Sequence, residues 1–163
     1  MSRGALSPSG IAGVASAVVL AAFLASALAP PLPAQKSEEV HRLLRQIRDA
    51  VQELGKYPGE DFFRGEFFLG EGDDDTNKTH AVGVLVTDEA EGGRMTIVIS
   101  RLEPAGTNPR VKYARDPRTI VCRFPAVGVE IVRSDYAPAD LRQLLPSVSR
   151  AVVDKKNLLK LKK

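Results

Sequence analysis

The chain has 163 residues, 44% hydrophobic and 26% charged, with a formal net charge of +3. Five lysines (Lys155, Lys156, Lys160, Lys162, Lys163) stand in the last nine residues, and residues 1–154 hold 18 basic against 20 acidic side chains. The basic excess therefore belongs to the tail, and nucleic acid is not the expected partner of the body. A single Cys122 excludes an internal disulfide framework.

Ile11 to Ala29 is a run of nineteen uncharged residues preceded by Arg3 and the amino terminus, the order of a weakly positive n-region and an apolar h-region. About 20 apolar residues also suffice to cross a bilayer, so composition has to separate a leader from an anchor. Eight of the nineteen are strongly apolar and eight are alanine. At about −0.3 to −0.6 kcal/mol for each strong residue, insertion is favourable by roughly a few kcal/mol, which is weak for an anchor. Ala27-Leu28-Ala29 satisfies the small-x-small rule but sets Pro30 after the cut, so the expected cleavage bond is Ala34-Gln35. Residues 1–34 are thus read as a signal peptide, residues 35–154 as a single domain and residues 155–163 as a basic Lys/Leu tail. The expected location is periplasmic or secreted; the alternative is a retained membrane anchor through residues 11–29.

Lys36 to Leu54 predicts a helix, with Ser37 as N-cap, Glu38 and Glu39 in the first turn and Gly55 as the stop. Val40, Leu44, Ile47, Val51 and Leu54 recur at steps of four and three, and Leu43 widens that stripe. Two heptads are too few for a coiled coil, so the stripe is expected on the domain's own sheet. After the turn signal Tyr57-Pro58-Gly59, Asp61 to Leu69 reads as a first strand, with Gly65 marking a bulge or a close backbone approach. His80–Thr87 and Arg94–Leu102 alternate as strands, with Val82, Val84, Val86 and Met95, Ile97, Ile99 facing inward and a polar hairpin loop between them.

Glu103 to Arg118 is Pro- and Gly-rich and reads as a long connection with at most a short strand at Arg110–Ala114. Thr119–Phe124 and Val127–Arg133 are the remaining strands, with Pro125 between them and Val127, Val129 and Ile131 inward. Cys122 shares the buried face of its strand with Ile120 and Phe124. From Asp135 onward the chain reads as helical, interrupted at Pro146, with a second helix from Ser147 to about Leu161. The expected class is α+β: an N-terminal amphipathic helix packed on an antiparallel meander of about five strands, with C-terminal helices.

Charge divides the domain. Glu60–Glu91 holds ten acidic and two basic side chains, and Arg94–Arg133 eight basic and three acidic. Arg101, Arg110, Lys112, Arg115, Arg118 and Arg123 are therefore a candidate binding face. Asp73, Asp75 and Asn77 stand at the first, third and fifth positions of a calcium loop, but Lys78 replaces its glycine and Val84 its glutamate. With His80 they are the weak candidates for a metal. Phe62, Phe63, Phe67 and Phe68 could line an apolar pocket between the sheet and a helix.

No Gly-x-Ser-x-Gly, His-Glu-x-x-His or phosphate-cradling loop occurs. The expected function is that of a small exported non-enzymatic domain, without cofactor, that binds a protein or an envelope component. A homo-oligomer through the first helix or a sheet edge is a further expectation, as is weak membrane-surface contact through Lys155–Lys163. The alternatives are an apolar-ligand or lipid carrier and, third, a metal-dependent enzyme.

Overall fold

A computed structural model describes residues 38–56, 58–72, 74–88 and 92–162. The predicted leader with its Ala34-Gln35 bond, the Ser37 cap and Asp73 lie outside the described residues.

Helix α1 spans Glu38–Glu53, with the two glutamates in its first turn, where carboxylates suit the unpaired amides. Val40, Leu43, Leu44, Ile47, Ala50 and Val51 are buried on it. Its end tightens through bonds from Leu54 N to Val51 O and from Gly55 N to Gln52 O, both 3.1 Å. Gly55 then takes φ +93°, the left-handed conformation that closes a helix without a Cβ penalty.

Five strands follow: β1 (Phe62–Gly70), β2 (Lys78–Thr87), β3 (Arg94–Ala105), β4 (Asn108–Arg123) and β5 (Glu130–Ser134), with a short 3-10 turn at Asp75–Asn77 before β2. They form one sheet in the order β1-β2-β3-β4-β5, and every adjacent pair is antiparallel. Helix α2, Pro138–Leu161, closes the chain. The fold is α+β, as the alternating strands and the leading amphipathic helix predict.

Both helices contribute to one core with a single face of the sheet. Val82, Val84, Val86, Met95, Ile97, Ile99, Ile120, Cys122 and Phe124 meet the α1 stripe and Leu141, Leu145, Val148 and Val152 of α2 there. The C-terminal ends of the two helices lie side by side, because Lys156 and Lys160 of α2 pair with Glu53 of α1 at 3.2 and 2.9 Å. A smaller cluster of Ala81 and Leu102, with Phe68 and Ala114 against it, forms separately.

Three expectations need correction. The Glu103–Arg118 connection is strand almost throughout: β3 runs on to Ala105 and β4 starts at Asn108. β5 pairs only with Ile120–Arg123, so the first part of β4 has a free edge. Prolines such as Pro109 and Pro117 are tolerated at edges and bulges, where no ladder donor is lost. The register shifts opposite Pro117, between Ile99 and Arg101, and neighbouring Asp116 takes φ +51°. Pro146 lies inside one continuous α2 and does not divide it. Val127, expected inward, is 89% exposed because Pro125–Val129 precedes the strand, whereas Val129 and Ile131 are buried.

Candidate functional site

Strand β1 is an outer strand of the sheet, and its two ends are treated differently. Near its start Lys56 forms an isolated bridge to Phe63. Farther along, Lys155 of α2 donates from Nζ to the Glu66 carbonyl at 2.7 Å, so the Glu66 backbone faces away from β2. Residues of an antiparallel strand turn their main-chain groups alternately to the two sides, so Phe68 shares that orientation. Lys155 also lies over the Phe67 ring, 5.2 Å from its centroid. Burial lowers the pKa of its ammonium, and the Glu66 carboxylate opposes that shift.

A groove of about 970 Å³ opens between this stretch and α2. One wall is Glu66–Gly72 with Lys78–His80; the other is a helical face on which Leu144, Ser147, Ala151, Asp154 and Leu158 recur at steps of three and four. Three acidic side chains (Glu66, Glu71, Asp154) and three basic ones (Lys78, Arg150, Lys155) line it, so it carries no strong field of either sign. Lys78 closes one end through a 2.6 Å bond to the Gly72 carbonyl. Leu158 at the other end is 59% exposed.

The candidate basic residues do not form one open patch. Lys112 is buried, and its Nζ donates to the carbonyls of Thr76 and Lys78 at 2.6 and 2.5 Å, which pins the bent β3-β4 hairpin to the turn before β2. Arg101 pairs with Glu103 and Asp116, and Arg115 pairs with Glu103. Arg115 also stacks on Tyr113 and Arg118 on Tyr136. Arg110 and Arg123 are exposed near opposite ends of β4, roughly 40 Å apart along a strand rising about 3.4 Å per residue.

The four phenylalanines are separated by the pleat. Phe63 and Phe67 pack in the main core and Phe68 in the second cluster, and Phe62 alternates onto the side of Phe68. Of the metal candidates, Asp75 and Asn77 are exposed, and no group of three or more potential metal ligands occurs among the described residues. His80 is half-buried beside the groove, its Nδ1 2.9 Å from Thr79 Oγ1, and burial followed by the charge of Arg101 lowers its pKa. Burial pushes the Cys122 thiol up to about 12, which leaves no thiolate for chemistry at neutral pH.

Residues 155–161 of the predicted Lys/Leu tail are the last two turns of α2, with Lys155, Lys156 and Lys160 engaged by Glu66 and Glu53; Lys163 lies outside the described residues. Among the described residues no helix is long and apolar enough to cross a membrane. Of the four phenylalanines expected in a sheet-helix pocket, Phe67 and Phe68 line this groove; its α2 wall, far away in the chain, left no local signal. No family model, no curated protein and no solved structure matches the chain.

Proposed function

We propose that this protein is a small, exported, non-enzymatic interaction domain that holds a protein partner in the groove between β1 and α2. The observation that carries this reading is the Glu66 carbonyl of the outer strand β1, reached by Lys155, beside an accessible helical face. Edge strands are templates for another chain, and proteins that use them for recognition combine main-chain bonds with neighbouring side-chain pockets. The balanced charge of the groove favours a partner of low net charge over a polyanion.

The export assignment rests on the apolar Ile11–Ala29 run. A carrier for apolar ligands has less support, because its four phenylalanines point to two sides of the sheet. A first-helix oligomer also has less support, since the apolar stripe of α1 is buried in the domain's own core.

Selection of peptides from a random display library, followed by amide chemical-shift mapping, tests the site. Shifts should concentrate on Glu66–Gly72 and on the Leu144–Leu158 face. Ligands that map instead to Arg110 or Arg123, or a folded protein that binds hydrophobic dye and no peptide, would refute the assignment.

A further inference from the structure

The groove runs beside the Glu66–Gly72 stretch of the outer strand β1, and its acidic and basic lining residues balance. Resting on the assignment of that groove as the contact site, we infer that its occupant is a short extended peptide segment of a partner protein, low in net charge, which adds to β1 as a sixth strand. The Glu66 carbonyl is met from outside the sheet by Lys155, and alternation along an antiparallel strand gives Glu66 and Phe68 one common orientation, so these two residues can exchange four bonds with one segment. The bridge from Lys56 to Phe63 covers the edge before this stretch, and the register shift between Leu69 and Gly70 ends it. About five residues of partner chain therefore fill the opening.

Side chains of an added strand point alternately to the two faces of the sheet. Those on the helix side meet Leu144, Ser147, Ala151 and Leu158, which select small or apolar residues. Those on the other side come beside Glu66 and Phe68. Main-chain bonding supplies the attraction and the helical face supplies the selectivity, with charge contributing little because the acidic and basic lining residues balance. Lys155 now occupies the Glu66 carbonyl that the segment uses, so its ammonium must swing aside on binding.

A second copy of this chain fits the slot poorly. Two β1 edges joined about a two-fold axis lie about 4.8 Å apart, and each brings an α2 whose Lys155 reaches over the shared edge. Packed helices need about 8–10 Å between axes, so the two helices compete for the same space. A lone strand carries no helix and meets no such obstacle.

The test uses the full chain and a twelve-residue peptide taken from the library selection. Methyl groups are placed on each peptide backbone nitrogen in turn, and binding is measured by calorimetry at low and high salt. Strand addition predicts losses of tenfold or more that recur at every second position, with less than a threefold change between about 0.05 and 0.5 M salt. Ser147→Arg, an exposed helix position that blocks the slot without touching the core, should weaken binding at least tenfold. Lys155→Met should strengthen it by freeing the Glu66 carbonyl. If Ser147→Arg abolishes binding but N-methylation shows no two-residue period, the groove assignment survives and strand addition is overturned. If binding ignores Ser147→Arg, or selection yields no ligand, both are overturned. Self-association that the peptide disrupts would replace the partner segment with a second copy.

Discussion

At the scale of single residues, Gly65 in the middle of β1 sets a packing constraint. A Cβ there would collide with the Phe67 ring and lie 3.5 Å from Val51 of α1, so the glycine lets the helix and its own strand's aromatic approach. Gly65→Ala should destabilise the protein by about 1–3 kcal/mol through overpacking, read as a lower urea midpoint at unchanged slope. The glycine was legible as a close approach or a bulge; only the register shows that the bulge lies elsewhere, between Leu69 and Gly70. Cys122 makes a second residue-level test. With the thiol fully buried and its pKa raised, a maleimide should label the folded protein far more slowly than the urea-unfolded chain, and equal rates would contradict the burial. That outcome was readable from alternation with Arg123, because strand side chains have a period of two.

Among the elements, α2 is the one whose continuity propensity argues against. A proline inside a helix removes a backbone donor, strikes the carbonyl four residues earlier and costs about 3 kcal/mol relative to alanine. Leu141, Leu145, Val148 and Val152 on the same helix are all fully buried. Each aliphatic side chain contributes about 1.5–3 kcal/mol on burial, so packing outweighs the break. Pro146→Ala should accordingly stabilise the protein by about 1–3 kcal/mol, seen as a higher urea midpoint. The β3-β4 hairpin reverses local expectation in a similar way. Gly106 and three prolines make it read as loop, yet Lys112 anchors its bent outer part through two carbonyls. Breaking that anchor with Lys112→Met should cost about 1–3 kcal/mol for the acceptors left behind, and amide exchange should rise at Thr76–Lys78.

For the whole molecule, acid stability follows from where protons bind. The pKa of His80 is lower in the fold than its ordinary value of 6.5, so the unfolded chain takes up its proton first. Stability should then hold above about pH 6.5, fall as the pH drops below it, and level off for this group once the folded-state value is passed. His80→Gln should flatten that segment of the curve. Glu53, held low by its bonds to Lys160 and Lys156, and Asp74, held low by Thr76, act in a separate and more acidic range. Their contribution is complete above the ordinary carboxylate values and lost as the pH falls through the folded ones. The export proposal belongs to this scale too. Expression in a host with a secretory pathway should yield a soluble product whose intact mass lacks residues 1–34. A full-length membrane-bound product would favour the anchor.

The period of the apolar residues was enough, by itself, to specify the first helix, the inward faces of β2 and β3, the burial of Cys122 and the α+β class. Those features follow from the geometry of one element at a time. Tertiary structure alone decided that Pro146 stays helical, that Pro109 and Pro117 lie in a strand, that Lys112 is buried and that the four phenylalanines part company. Each of these depends on a partner far away in the chain: a core face, a free edge, two carbonyls, the opposite side of a sheet. The groove has the same origin, since Glu66 and Lys155 meet only after the sheet and α2 have packed, and no local pattern encodes a contact across that separation.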